Sequence, residues 1–453
     1  MSKKIKIGFL PLTKVNWTNE AMQKQRRDAL EMLRKIDGVE IVGGEDMIET
    51  EPQALEILER FEKDRPDMIV ALFATFALGT IVSLFAKRLK VPVVLWSIVE
   101  PDPDGGRLQA NSFCAANMNS HFMYRFHIPY FHVHGNIGDE KAQQGLDKAV
   151  RVVRAMDAVS NMRIGLVGGR VPGFYTSSCD EMMLRAKLGP ELKYIMMLEV
   201  MNDAKNVPQA ELEEALKIVK SDAAGAESSE EDLKKSAALY AAVCGMRKKF
   251  GVDTFAFRCW PEVINSDLYG ITACSTLGHL TNHGVITACE GDVYGAVLMR
   301  LQYELTGDLP FFCDLIMCEP DKEYGVVWHC GAAPCKLCRK DFKNSLRNSS
   351  TVVTKGVVNE FPLKPGRVTL ARLGETRDGD GFRMLIAPGE AIDTDLFVRG
   401  NPLKVKFDAG CERLRDTVIN QGFEHHFSMA YGDITKELLD YCRVMDIEPV
   451  LLK

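Results

Sequence analysis

Two carboxylates and an imidazole, far apart in the chain, have the residue types of a hard-cation site. Glu290 ends the apolar run VITACE, and Gly291-Asp292 then open a predicted helix over 292–307 with Asp292 as its cap. Glu290 is therefore expected at the carboxyl end of a sheet strand, the edge where open α/β sheets bind ligands. A second acid, Asp314, lies inside the apolar run FFCDLIMC. An unpaired carboxylate is costly to bury there, so it needs a cation or a strong donor. Two carboxylates at neighbouring strand ends suit a hard divalent ion such as Mn²⁺ or Mg²⁺. Downstream, Glu424-His425-His426-Phe427 precedes SMAYGD. One imidazole from that run can complete the coordination sphere and leave open positions for water or substrate oxygens.

Other residues belong near such a cleft. Arg258, Trp260 and Glu262 close the strand TFAFRCWPE, and an aromatic face beside charged groups suits a polyhydroxylated ligand. His329 follows the strand YGVVW and is read as lining the same cleft. Asn111 stands in a long polar loop after VLWSIVEPDPD that is free to reach a cleft or a neighbouring subunit. GGRVPGF at 168–174 is glycine-rich but matches neither nucleotide-binding pattern, so a tight strand-to-helix turn is the simpler reading. Cys330, Cys335 and Cys338 form a C-x4-C-x2-C run compatible with an iron–sulfur or zinc site, but no clean fourth ligand follows.

The elements that must position these groups follow from hydrophobic rhythm. The first third alternates short β-branched runs with amphipathic helical stretches, as a parallel sheet covered by helices does. MRIGLVGG at 162–169 restarts the rhythm. From about 345 alternating strands and turn signals indicate an antiparallel sheet or small barrel, and a helix over 433–445 closes the pattern. The expected architecture is α/β: two doubly wound parallel-sheet domains, over 1–160 and 161–340, then a smaller antiparallel, barrel-like domain over 341–453 that carries the metal-site histidine. SDAAGAESSEEDLKK reads as a solvated connection between two helices.

The 453 residues are 46% hydrophobic and 26% charged, the composition of a packed globular protein of several domains. A net charge of −6 gives no footprint for a polyanion or an anionic membrane, and no run is apolar enough to span a bilayer. The expected location is the cytoplasm, and the thirteen cysteines are expected to be reduced.

The signature ACEGDVYGA, the acid of FFCD 24 residues after Glu290, the terminal HHFSMAYGD and the RCWPE segment together resemble the L-fucose isomerase and L-arabinose isomerase superfamily, most closely its fucose branch. The resemblance implies a metal-dependent aldose–ketose isomerase in which Glu290, Asp314 and His426 hold Mn²⁺, or another divalent ion such as Mg²⁺ or Co²⁺. Glu290 and Asp314 would also be the acid/base pair passing through a cis-enediolate. It further implies a homo-oligomer, a trimer or hexamer, with active sites between subunits. His425 stands where the fucose branch carries Asn, and His329 lies where the arabinose branch has a further histidine ligand. Bacterial sulfoquinovose isomerases are one home for such a divergent sequence, with Arg258 or Arg170 to hold the sulfonate. Candidate substrates are L-fucose, D-arabinose-like aldoses and sulfoquinovose. Two other classes remain open: a two-lobed sugar-binding protein without catalysis, and an iron–sulfur or zinc protein built on Cys330, Cys335 and Cys338.

Overall fold

Five apolar runs become the strands of a parallel sheet. These are β1 (Ile5–Leu12), β2 (Val39–Gly43), β3 (Met68–Phe73), β4 (Val93–Ser97) and β5 (Tyr130–His134), paired in the order β2-β1-β3-β4-β5 with every pairing parallel. Every residue of β3 and β4 is buried, so these strands carry apolar side chains on both faces instead of alternating. The computed structural model describes residues 3–350 and 355–453. Within it the chain divides into two units, Met1–Ala155 and Met156–Lys453, and this sheet is the framework of the first.

The second unit repeats the pattern. It opens with β6 (Arg163–Val167), β7 (Glu191–Ile195), β8 (Gly225–Ala226), β9 (Thr254–Phe257) and β10 (Thr287–Cys289). Four of these form a second parallel sheet in the order β10-β9-β6-β7. The expected solvated connection holds β8, whose two residues are exposed.

The remaining strands are β11 (Phe311–Met317), β12 (Gly325–Trp328), β13 (Ser345–Arg347), β14 (Val358–Glu360), β15 (Gly366–Glu375), β16 (Phe382–Ile392), β17 (Leu403–Phe407), β18 (His426–Tyr431) and β19 (Ile447–Leu451). Seven of them form one mixed sheet, β15-β18-β11-β12-β17-β16-β19, in which only β16–β19 is parallel. β15 also pairs with β16, so the pairings run in a circuit. The expected boundary at 340 runs through this sheet, because β11 and β12 precede it and the other strands follow. Phe311, Cys313, Val327, Leu370, Leu385, Leu403, Phe427 and Met429 pack in its core. A small sheet, β14-β13-β8, joins segments more than a hundred residues apart.

Candidate active site

The strand order β10-β9-β6-β7 contains a reversal. From β6 the chain moves to one side to make β7, then returns to the other side to make β9 and β10. Loops leaving the carboxyl ends of strands flanking such a reversal part and leave a crevice. Here those loops carry 168–174 after β6, 258–262 after β9 and 290–292 after β10.

At the end of β10 the backbone turns sharply. Glu290 has φ 59° and Gly291 φ 71°, and Asp292 then caps the helix Val293–Thr306, its Oδ1 accepting from the Gly295 amide at 2.7 Å. A left-handed conformation costs a non-glycine residue about 1–2 kcal/mol, and such strain concentrates at functional positions. Gly291 is required twice over, because a Cβ there would also lie 2.2 Å from the Gly169 carbonyl oxygen of the neighbouring loop.

The antiparallel register of β11 and β18 sets Asp314 directly opposite His426. The imidazole reaches three carboxylates: Nε2 lies 2.7 Å from Glu290 Oε2 and 3.9 Å from Asp314 Oδ1, and Nδ1 lies 3.0 Å from Asp292 Oδ2. Arg372 of β15, 0% exposed, donates from Nη1 to the same Asp292 oxygen at 2.6 Å and from Nε to Glu424 at 3.4 Å. The order of support therefore runs from Arg372 through Asp292 to His426 Nδ1, leaving Nε2 facing Glu290 and Asp314.

The electrostatics follow from this packing. Burial pushes the Asp314 carboxyl up to about 7, with the charge of Glu290 adding to the rise and His426 opposing it. Burial also acts to raise Glu290, but the hydrogen bond from His426, the fields of His329 and His426 and the Trp260 hydrogen bond together outweigh it and hold that carboxyl below its ordinary value. Burial acts to lower His426, yet its bonds to Asp292 and Glu290 lift it to about 9. Asp292 stays well below the carboxylate range, because Arg372 and His426 overcome its burial. An imidazolium thus sits between acids. The same Nε2, once deprotonated, is a ligand atom, since Nδ1–H is already committed to Asp292 in the manner of a carboxylate–histidine–metal arrangement.

The donor set fits a divalent cation. Asp314 Oδ1 is buried with no hydrogen-bond partner among the described residues, and ligand atoms of Glu290, His425 and His426 lie within 4.8 Å of one another. The His425 ring lies close to that of His426, tilted by 38° with centroids 3.9 Å apart, and its Nδ1 lies 2.9 Å from Thr176 Oγ1.

Of the other expected residues, Trp260 joins the cluster directly, its indole N–H donating to Glu290 Oε1 at 3.3 Å. Phe174, from the glycine-rich loop, packs edge-on against both Trp260 and His425. Arg258 pairs with Glu262 and donates to the Arg170 carbonyl at 3.2 Å, while its Nε lacks a partner among the described residues. His329 is buried at the end of β12, its ring 5.6 Å from Phe312, which itself packs on His426. Burial drives it down to about 4. It makes no direct bond to Glu290, Asp314 or His426 among the described residues. Asn111 belongs to the first unit, where it caps the helix Ser112–Arg125 and donates its amide to Glu100.

The cysteine run does not close on itself. Cys330 Sγ lies 3.3 Å from Cys274 Sγ, Cys335 Sγ accepts from the Asn344 amide at 3.3 Å, and the Cys338 thiol lies 3.4 Å from the Arg339 carbonyl. Sequence reading missed Arg372 and the second task of Asp292. The cap position signalled Asp292, but nothing local marks an arginine in an alternating strand as buried.

Residues 8–160 match a family model described as the fucose/sulfoquinovose isomerase N-terminal domain, and residues 327–452 one described as the L-fucose isomerase C-terminal domain. Proteins named sulfoquinovose isomerase from Priestia aryabhattai and Priestia megaterium are each 28% identical over 449 residues, covering 97% of either chain. One of the same name from Alkalicoccus urumqiensis is 29% identical over 402 residues, covering 88% of this chain and 89% of its own.

Proposed function

The chain belongs to the fucose/sulfoquinovose isomerase family, and from that premise we propose that this sugar isomerase interconverts an aldose and its ketose at Glu290, Asp314 and His426. The observation that carries the reading is the meeting of two acids and one imidazole, from the turn after β10, from β11 and from β18, around a buried carboxylate oxygen that has no hydrogen-bond partner among the described residues. Glu290, Asp314 and His426 Nε2 would hold a divalent cation, with Mn²⁺ as the first candidate and Mg²⁺ or Co²⁺ as alternatives. When bound, that cation would polarise the O1 and O2 oxygens of the sugar.

The chain's own groups account for the remaining steps. Isomerisation removes the proton on C2 and returns one to C1, while a hydroxyl proton passes from O2 to O1 through a cis-enediolate. Glu290 and Asp314 are the carboxylates available for that transfer. The Trp260 indole N–H holds Glu290 Oε1, so a stiff acid meets the substrate. Asp292 and Arg372 orient His426. Trp260 and Phe174 offer apolar surface to the C–H faces of a sugar.

Sulfoquinovose is the substrate this reading favours. Its support is the name carried by the aligned relatives together with the guanidinium groups of Arg258 and Arg170, whose planar forks match sulfonate oxygens. Asn111 is assigned to substrate binding in a cytoplasmic homo-oligomer, a trimer or hexamer, whose 100–117 loops reach a neighbouring subunit's cleft. The test is incubation of Mn²⁺-loaded protein with sulfoquinovose, L-fucose, L-arabinose and D-arabinose, with ketose formation followed by NMR. Ketose from sulfoquinovose is expected, ketose from another aldose alone would move the substrate, and none from any would contradict the reading.

A further inference from the structure

In the second unit, a separate cluster gathers at the ends of two helices. Asp222 caps the carboxyl end of Gln209–Ser221, His279 lies in Cys274–Asn282, and His283 caps that helix. Cys335 opens the short turn Cys335–Leu337. His279 and His283 are four residues apart and so share one helix face. Ligand atoms of Asp222, His279 and Cys335 lie within 4.8 Å of one another. A single oxygen, Asp222 Oδ2, has His279 Nδ1 at 3.0 Å and His283 Nε2 at 3.2 Å. Tetrahedral zinc with bonds of about 2.0 Å keeps neighbouring ligand atoms about 3.3 Å apart, which is the spacing found between this oxygen and both imidazoles.

We infer that Asp222, His279 and Cys335 form a second cation site, of the zinc type, with a fourth position left for water, which shares no residue with the candidate active site. The donor set decides the metal class: an imidazole and a thiol favour a borderline ion such as Zn²⁺, where the carboxylate-rich active site favours a harder one. His279 is 0% exposed, and its Nδ1 is the ring nitrogen that faces Asp222 Oδ2. Asn282 also donates to Asp222 Oδ2, at 2.8 Å, and among the described residues the Cys335 sulfur accepts from the Asn344 amide at 3.3 Å. Asp222, Cys335 and Cys338 line a cavity of about 430 Å³, so an ion has a path in. Cysteine spacing alone points to Cys330, Cys335 and Cys338 as a set; in the folded chain the partners of Cys335 are instead His and Asp from helix ends. Bound metal would tie those two ends to the 335–337 turn, a structural role.

Metal content and cobalt spectroscopy of the full-length protein test the site. Equilibrium dialysis against Zn²⁺ should leave the wild-type protein with one more tightly held equivalent than Cys335→Ser or Asp222→Asn. Cobalt-loaded wild-type protein should show a thiolate-to-metal charge-transfer band that Cys335→Ser removes, with isomerase turnover in Mn²⁺ retained. Equal zinc content in wild type and both variants, or a thiolate band that survives Cys335→Ser, or no such band in the wild-type protein, would overturn the inference. Because the wild-type cobalt spectrum needs no variant to fold, the result stands independently of them and of the isomerase assignment.

Discussion

Asp292→Asn removes one charge without changing shape, and its cost can be worked from the contacts. Asp292 accepts from three donors: the Gly295 amide on Oδ1, and Arg372 Nη1 and His426 Nδ1 on Oδ2. Asparagine offers one carbonyl oxygen. If that oxygen faces Arg372 and His426, the NH₂ group faces the Gly295 amide and the helix loses its cap, worth about 1 kcal/mol. Arg372, fully buried, would then face a neutral oxygen and keep Glu424 at 3.4 Å and the Thr176 carbonyl at 3.3 Å, and removing the charged partner of a buried pair costs about 3–5 kcal/mol. The sum is about 4–6 kcal/mol, a large part of the roughly 5–15 kcal/mol that holds a domain folded. Metal affinity should fall as well, by about 10–100-fold, because the carboxylate that orients the ligand imidazole is gone. Urea unfolding of the metal-free protein and calorimetric titration with Mn²⁺ read the two effects separately. A variant matching wild type in both would refute the chain of support from Arg372 to His426.

Three further substitutions probe other links. Glu290→Gln should abolish aldose–ketose interconversion while leaving the circular dichroism spectrum unchanged; retained turnover would remove Glu290 from the chemistry. His426→Ala should weaken Mn²⁺ retention far more than His425→Ala, measured by metal content after gel filtration, and the reverse order would transfer the ligand role to His425. Gly291→Ala places a Cβ 2.2 Å from the Gly169 carbonyl at φ 71°, so it should destabilise the protein by several kcal/mol and lower turnover; a wild-type melting temperature would show that the two loops separate freely.

The central strands of the first parallel sheet were legible because burial on two faces makes them continuous apolar runs, as in MIVALF and VVLWS. The same logic exposed Asp314, since a carboxylate inside FFCDLIMC has no bland explanation. Its position opposite His426 was not legible, because antiparallel register across 112 residues is a tertiary property. Arg372 failed for a related reason. In VTLARLGE it reads as the solvent-facing partner of an alternating strand, and only the arrival of Asp292 and Glu424 from elsewhere makes its burial affordable. The mixed sheet spans residue 340 because β11 and β12 find partners beyond it, a pairing no local pattern marks. Cys335 shows the converse: its spacing to other cysteines was visible, whereas Asp222 and His279 reach it from segments far upstream, a tertiary property.

Anomalous diffraction from crystals grown with Mn²⁺ tests the central claim most directly. The account predicts a manganese peak bonded to Glu290, Asp314 and His426 Nε2, with Asp292 behind the imidazole. A peak placed away from those three side chains, or none in protein that converts sugar, would contradict it.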